Sequence, residues 1–115
     1  MQINIYNKFY DSYFTSDEFK ETFLSSMNLL HDRKRIFFVG NGGSNSICSH
    51  MMEDFAKIGR FQTFTFSDPA LITCYSNDYG YENAMTEWLE IFFESGDLLI
   101  AISSSGNSVN ILNAV

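Results

Sequence analysis

Cysteine and proline are scarce in this sequence. Its 115 residues include two cysteines, Cys48 and Cys74, and one proline. Two cysteines are too few for the disulfide framework that stabilises small secreted domains. No run of about 18 apolar residues and no charged-then-apolar leader occurs. We therefore expect a cytoplasmic protein that does not have a membrane as a partner.

Basic residues are missing from the second half of the chain. No Lys or Arg follows Arg60, whereas seven Asp and Glu residues do, so the net charge of −7 arises there. Before that point, Arg33–Arg35 follows a predicted helix, whose negative dipole end the three cations would offset. A protein that binds nucleic acid needs a basic face to neutralise phosphates. The sequence therefore argues against nucleic acid as a partner.

The stretch from Arg35 to Ile58 predicts a strand, a turn and a helix in succession. Ile36–Val39 is a continuous apolar run of β-branched and aromatic residues, typical of a parallel strand buried on both faces. Gly40–Ser44 tolerates positive φ and allows a sharp turn. Ser44 or Asn45 would then cap the helix. Strand, glycine-rich turn and helix N-terminus together form the usual anion site of an α/β protein.

Two helices are predicted before this strand. The first is short and rests on apolar residues at four-residue spacing, namely Ile5, Phe9 and Tyr13. Thr15–Glu18 resembles a capping box and begins a second helix from about Ser16 to Asp32. The apolar stripe of this second helix consists of Phe19, Phe23, Met27 and Leu30. We expect residues 1–34 to form a helical segment through which copies of the chain pack together, since the stripe needs cover.

A second strand is predicted after the central helix. Gly59 is the expected C-cap of that helix, and Gln62–Phe66 alternates as a short strand does. Ser67–Pro69 breaks the strand. Leu71–Tyr75 fits either a helical turn or a strand, because five residues are too few for periodicity to decide.

The last part of the chain predicts a helix, a third strand and the start of another helix. Tyr81–Phe92 has an apolar face opposite a row of glutamates, and Gly96 should end that helix. Leu98–Ile102 is a fully apolar strand, and a helix begins at Val109. The alternation of strands and helices predicts the α/β class, as a three-layer α/β/α doubly wound parallel sheet. Ligands of such sheets bind beyond the carboxyl ends of the strands.

Two polar loops lie at such carboxyl ends. They are Gly40–Ser44 and Ser103–Ser108. The second offers hydroxyls and backbone N–H groups at a helix start, where a phosphate can bind without Lys or Arg. The alternative is an ordinary solvated connection with Ser108 as N-cap, and for this loop alone the two interpretations carry about equal weight. Because two such loops follow successive strands, we favour binding.

Three segments together resemble a known family. FVGNGGSNSICSHMMEDFAK, SNDYGYENAM and GDLLIAISSSGNSVNILNAV are similar to the sugar isomerase (SIS) domain of bacterial phosphoheptose isomerases. Those enzymes convert sedoheptulose 7-phosphate to a heptose phosphate for lipopolysaccharide and capsule precursors. The resemblance covers about Ile36 to Val115 and implies a flavodoxin-like SIS fold for residues 35–115. It also implies aldose–ketose isomerisation and a tetramer with active sites at subunit boundaries.

The resemblance implies roles for individual residues. The implied sugar-phosphate ligands are Asn41, Gly42, Gly43, Ser44, Asn77, Asp78, Ser103, Ser104, Ser105 and Ser108. His50 would bind zinc, and Asp54 would be both a zinc ligand and the catalytic acid/base, at a position where the family usually has Glu. A later Gln and His of the family have no counterpart before Val115. We therefore expect a truncated SIS domain with an incomplete catalytic set.

The spacing of His50 and Asp54 has two interpretations. At i and i+4 of one helix the two side chains share a face, and an imidazole with a carboxylate can begin a metal site. Zinc takes three or four protein ligands, so the pair alone cannot complete one. The other interpretation is an exposed ion pair that contributes little energy.

Three functions remain open. The first is a sugar-phosphate isomerase of the phosphoheptose isomerase type. The second is a phosphosugar-binding SIS module without chemistry, or an inactive remnant. The third, a dinucleotide-binding domain, fits poorly, because the sixth position of a G-x-G-x-x-G motif counted from Gly40 is Asn45 and no acid ends the second strand near Thr65.

Overall fold

The computed structural model describes residues 2–115, with side chains from residue 7 onward. It divides the chain into two compact units, Met1–Asp32 and Arg33–Val115. The first unit contains α1 (Gln2–Phe14) and α2 (Asp17–Leu30). The side chain of Ile5, which belonged to the predicted face of α1, lies outside the described side chains. The assignment of residues 1–34 to self-association stays a prediction.

The N-cap of α2 is Ser16, one residue later than the capping box Thr15–Glu18 predicts. The Ser16 hydroxyl oxygen accepts a hydrogen bond of 3.1 Å from the N–H of Phe19. Phe19 occupies the third helical position, where a capping box requires Glu or Gln, so only half of the box forms. The helix ends at Leu30 rather than near Asp32, because His31 is extended (φ −62°, ψ 133°).

The apolar stripe of α2 is not buried within its own unit. No residue of α2 is buried, and Phe23 and Met27 are 52% and 47% exposed. The rings instead contact one another along the helices, as Phe14 and Phe19 do with centroids 4.8 Å apart. Phe19 and Leu30 are partly covered, whereas Phe23 and Met27 in the middle of the stripe stay about half exposed.

The second unit is built on a parallel three-stranded sheet. Its strands are β1 (Arg35–Gly40), β2 (Gln62–Thr65) and β3 (Leu98–Ile102), in the order β2-β1-β3. β1 pairs in parallel with both neighbours, Phe37 lying beside Phe64 on one side and Leu99 on the other. The helices of this unit are α3 (Gly43–Lys57), α4 (Pro69–Tyr79), α5 (Tyr81–Phe92) and α6 (Val109–Ala114).

Helices cover both faces of β1, which confirms the three-layer doubly wound fold. On one face Phe38 contacts Phe55 of α3, with ring centroids 5.5 Å apart. On the other face the core cluster combines Phe37 and Val39 with Trp88 of α5 and Ile111 of α6. The chain moves from β1 to β2 over one face and from β2 past β1 to β3 over the other. Because both the direction and the face reverse, the two crossovers have the same hand.

Both ends of α3 differ from the prediction. The helix begins at Gly43 with Gly42 as N-cap, not with Ser44 or Asn45, because Gly42 (φ 52°) already turns the chain at that point. At the other end Ile58 is the C-cap. The left-handed residue that follows is Arg60 (φ 59°), and Gly59 keeps a negative φ.

The undecided segment Leu71–Tyr75 lies within helix α4. Asp68 caps this helix by accepting a hydrogen bond of 2.9 Å from the N–H of Leu71, and Pro69 occupies its first turn. Both features favour a helix start. The sequence signal for α4 therefore lies in Asp68 and Pro69, before Leu71–Tyr75, rather than within those five residues.

The connection from α5 to β3 also differs from the prediction. α5 ends at Phe92, before Gly96, because Phe93 is extended (ψ 127°). Two cations of the basic triplet, Arg33 and Arg35, contact this connection, whereas the last turn of α2 contains no basic residue. Arg33 donates a hydrogen bond of 2.8 Å to the Gly96 carbonyl, and Arg35 forms ion pairs with Glu94 (3.2 Å) and Asp97 (3.3 Å).

Gly40→Ala should destabilise the second unit by about 1–3 kcal/mol of unfolding free energy. A Cβ at Gly40 would lie 2.9 Å from the Ser44 carbonyl carbon and 3.1 Å from the Asn45 nitrogen, both backbone atoms of the first turn of α3. Gly43→Ala is the matched control, since a Cβ there meets no atom within 4 Å. In urea unfolding, equal losses for the two variants would contradict the close approach at Gly40.

Candidate functional site

The strand order places the candidate site between the carboxyl ends of β1 and β3. The chain leaves β1 toward β2 on one side, and β3 follows on the other side. In open α/β sheets such a point, where successive connections diverge, forms the crevice that binds ligands. The loop after β1 and the Ser103–Ser108 loop after β3 both begin there. The structure therefore brings together the two polar loops singled out in the sequence.

Hydrogen bonds connect the loop after β1 to the helix that follows the serine loop. The side-chain amides of Asn41 and Asn110 pair reciprocally. Asn41 Nδ2 donates to Asn110 Oδ1 at 2.9 Å, and Asn110 Nδ2 donates to Asn41 Oδ1 at 2.8 Å. The Tyr81 hydroxyl, at the start of α5, donates to the same Asn41 oxygen at 2.7 Å. Asn41 thus links three segments at this edge of the sheet.

The backbone at Gly42 and Gly43 is open to a ligand. A Cβ at either position would meet no atom within 4 Å. Within residues 2–115, no acceptor pairs with the N–H of Gly42 or of Gly43. These groups lie at the N-terminus of a 15-residue helix, where the macrodipole favours negative charge. Ser44, in the same turn, is half-buried and donates its N–H to the Asn41 carbonyl at 2.9 Å.

The serine loop uses part of its own hydrogen-bonding capacity. The hydroxyl oxygens of Ser103 and Ser105 accept from the N–H groups of Gly106 (3.1 Å) and Asn107 (3.2 Å). Those two N–H groups are therefore already paired, whereas the two hydroxyl hydrogens stay available as donors. Because α6 has only six residues, the dipole behind this loop is smaller than a full helix would give.

Ser104 and Ser108 differ in position. Ser104 is exposed, and Ser108 is half-buried. Ser108 is the N-cap of α6 by its backbone, whose carbonyl accepts from Ile111 at 3.0 Å, but its hydroxyl makes no capping bond. Among the described residues neither hydroxyl has a hydrogen-bond partner. Both remain free to contact a ligand.

Asn77 and Asp78 lie apart from the two loops in their hydrogen bonding. Both are exposed in the last turn of α4, where Asn77 Nδ2 donates to Asp78 Oδ1 at 2.9 Å. The Cys74 thiol lies 3.7 Å from the other carboxylate oxygen of Asp78. No hydrogen bond joins either side chain to Gly40–Ser44 or Ser103–Ser108 in the described part of the chain.

A second polar network, missed from the sequence, holds the first turn of α3. Ser67 Oγ donates to Asn45 Oδ1 at 2.9 Å and accepts from Ser49 Oγ at 2.9 Å. Asn45 Nδ2 also reaches the Phe66 carbonyl at 3.4 Å. These bonds fix the N-terminus of α3 against the end of β2. Their partners lie about 20 residues apart, so no local pattern indicated them.

His50 and Asp54 form an exposed pair on α3. His50 Nε2 lies 3.4 Å from Asp54 Oδ2, and the two side chains are 72% and 43% exposed. No cluster of three or more His, Cys, Asp or Glu occurs among residues 2–115. Cys48 on the same helix is fully buried, and this burial raises the pKa of its thiol, which disfavours the thiolate that zinc requires. The described residues therefore supply two of the three or four ligands that zinc takes and do not fit the ion by themselves.

Comparison with known proteins identifies the family. A family model described as the SIS domain matches residues 15–115. The chain belongs to the SIS domain family. Within residues 2–115 the structure contains no helix with the length and apolar character needed to cross a bilayer.

The similar proteins share a name and exceed this SIS-domain chain in length. The phosphoheptose isomerase of Fusobacterium nucleatum is 40% identical over 95 residues, which cover 76% of this chain and 48% of that protein. The phosphoheptose isomerase of Tolumonas auensis is 37% identical over 93 residues, covering 75% and 47%. The structure of phosphoheptose isomerase GmhA from Neisseria gonorrhoeae matches with a TM-score of 0.73 at 26% identity, covering 94% of this chain and 58% of that one. The chain spans about half the length of the curated relatives it matches.

We expect the purified chain to retain less than one zinc per chain after mild chelation, since two exposed ligands bind the ion weakly. His50→Ala should leave that residual content unchanged. Elemental analysis decides the matter. One retained zinc per chain that disappears in His50→Ala would contradict the prediction and would require ligands shared between subunits.

Proposed function

We propose that this chain supplies the phosphosugar-binding half of a sugar-phosphate isomerase of the phosphoheptose isomerase type. The substrate would resemble sedoheptulose 7-phosphate, and the reaction would be aldose–ketose isomerisation. The observation that carries the proposal is the pairing of Asn41 with Asn110, which joins the loop after β1 to the helix that follows the serine loop, at the carboxyl ends of β1 and β3. The phosphoheptose isomerases of the family support the substrate class.

In this proposal the phosphate binds to the serine loop. The hydroxyls of Ser103, Ser104, Ser105 and Ser108 donate to it. No Lys or Arg follows Arg60, so these neutral donors replace the cations of other phosphate sites.

The open backbone of Gly42 and Gly43, with Ser44, contacts the sugar hydroxyls of the same ligand. The N–H groups of the two glycines have no acceptor among the described residues, and the Cβ side of each glycine is open. Asn77 and Asp78, at the end of α4, would contact the far end of the sugar.

Asp54 is the proposed acid/base. Isomerisation requires a carboxylate that removes a proton from one carbon and returns it to the next, within hydrogen-bonding distance of both. Asp54 is half-buried on α3 and lies next to His50. The side chain of Asp54 is one methylene shorter than the Glu usual in the family. This moves its carboxylate away from the substrate proton, so we expect a slow reaction.

A second candidate function is a phosphosugar-binding SIS module without chemistry. The specific observation in its favour is the contrast between Asn41, which hydrogen bonds hold in place beside the polar loops, and an exposed His50–Asp54 pair with no third ligand among the described residues. The two candidates predict the same binding and differ in turnover. Conversion of sedoheptulose 7-phosphate that is lost in Asp54→Asn, with binding retained, would distinguish the isomerase.

We also propose a cytoplasmic homo-oligomer, a dimer or tetramer, that acts in lipopolysaccharide or capsule precursor synthesis. The large exposed side chains of α1 and α2 support self-association, since Phe9, Phe23 and Met27 are each about half exposed. A symmetric assembly of helices would cover them.

Light scattering at micromolar concentration should therefore give a multiple of the 13.2 kDa chain mass. Phe23→Glu with Met27→Glu should shift the mass toward the monomer, because both charges would enter the apolar stripe. Ser25→Glu, on the opposite side of α2, is the matched control and should leave the assembly intact. A monomeric unmodified chain would contradict the proposal.

Calorimetry with sedoheptulose 7-phosphate tests the phosphate site. Ser104→Ala should weaken binding by roughly tenfold, since a hydrogen bond to a charged group contributes about 1.5–3 kcal/mol. The Ser104 hydroxyl has no partner among the described residues, so its removal should not disturb the loop. His50→Ala is the control and should change the affinity little. Unchanged binding in a Ser103/Ser104/Ser108 triple alanine variant, or no binding by the unmodified chain, would contradict the proposal.

A further inference from the structure

Asn110 is the one polar residue of the described region that is buried as a whole, with 4% of its surface exposed. It lies in the first turn of α6, between the exposed Val109 and the buried Ile111. A buried amide is destabilising unless it is hydrogen-bonded. Asn110 meets this requirement chiefly through Asn41, with the Met85 sulfur as a weaker neighbour at 3.8 Å. Its burial is therefore tied to the orientation of one side chain of the site.

The hydrogen bonds of Asn41 leave it little freedom to contact a ligand. Its Oδ1 accepts from Asn110 Nδ2 and from the Tyr81 hydroxyl, which uses both lone pairs of the oxygen. Of its two amide hydrogens, one is donated to Asn110 Oδ1. At most one N–H of this side chain can reach a sugar. Asn41 is therefore held in a single orientation by two partners from outside its own loop.

We propose that Asn110 and Tyr81 are positioning residues for the phosphosugar site. They act through Asn41 and fix the Gly42–Gly43 backbone beside the Ser103–Ser108 loop before the ligand arrives. This inference rests on the proposed function for its consequence on binding. A loop that is already ordered binds its ligand more tightly, because no conformational entropy of the loop is lost on binding.

The chain offers a minimal variant and a matched control for each residue. Tyr81→Phe removes only the hydroxyl that contacts Asn41. Tyr79→Phe removes a hydroxyl that has no hydrogen-bond partner among the described residues, two positions away. Asn110→Leu keeps the approximate shape of the side chain and removes both hydrogen bonds to Asn41. Asn113→Ala breaks a different bond between α6 and α5, that of Asn113 Nδ2 to the Glu82 carbonyl at 3.0 Å.

Nuclear magnetic resonance spectra without ligand test the positioning role directly. In Tyr81→Phe the side-chain amide signal of Asn41 and the backbone amide signals of Gly42 and Gly43 should shift, while Tyr79→Phe should leave them in place. Unshifted signals in Tyr81→Phe would overturn the proposal. Because this variant keeps the ring, the result does not depend on whether Asn110→Leu folds.

Affinity for sedoheptulose 7-phosphate provides the second measurement. Tyr81→Phe should weaken binding by about three- to tenfold and Asn110→Leu by more, whereas the two control variants should match the unmodified chain. In an Asn41→Ala background, Tyr81→Phe should have no further effect, since the path through Asn41 is already lost. If the losses of affinity in Asn41→Ala and Tyr81→Phe multiply in the double variant, Tyr81 does not act through Asn41 and the proposal is overturned. If the unmodified chain binds no sugar phosphate, the proposed function fails, and the spectra still decide the positioning role.

Discussion

The burial of β1 on both faces and along both edges is the constraint on which the second unit depends. Ile36–Val39 is almost completely inaccessible to water. Every backbone polar group of such a strand needs a partner, which β2 and β3 supply in parallel register. Its apolar side chains need cover on both sides, which α3 and the α5–α6 pair supply. These contacts fix β1 relative to the sheet and the helices, and they thereby also fix where the loop after β1 begins.

Polar interactions hold β1 at each end. At the amino end, the Arg35 guanidinium pairs with Glu94 and Asp97 and lies 5.3 Å from the centre of the Phe37 ring. Arg35 Nη2 also donates to the Phe92 carbonyl. At the carboxyl end, Asn41 pairs with Asn110. The first set connects β1 to the segment just before β3, and the second connects the loop after β1 to the helix after β3. Polar contacts therefore join these parts of the chain at both ends of the strands.

How much of the fold and of the candidate site can be predicted from the sequence depends on how far apart along the chain the interacting residues lie. The strands β1 and β3 and the order of elements were predicted, because continuous apolar runs between turn residues carry their signal within a few positions. Helix α4 was undecided from Leu71–Tyr75 alone, although Asp68 and Pro69 before it carry a cap signal. The Asn41–Asn110 pair spans 69 residues. The one local indication is Asn110 itself, a polar residue between the apolar Val109 and Ile111 at the start of α6.

The acidic second half and an anionic ligand are compatible because charge acts over a limited range. At physiological salt, exposed charges more than about 8 Å apart are largely screened, so a carboxylate repels an anion at the loops only where it lies close to them. Hydroxyls and backbone N–H groups act only at contact distance, and their strength depends on how well they are oriented. A site made of neutral donors in an acidic protein therefore depends more on fixed geometry than one built from flexible lysines. This dependence gives a buried amide such as Asn110, which contacts no ligand itself, a physical reason to matter for binding.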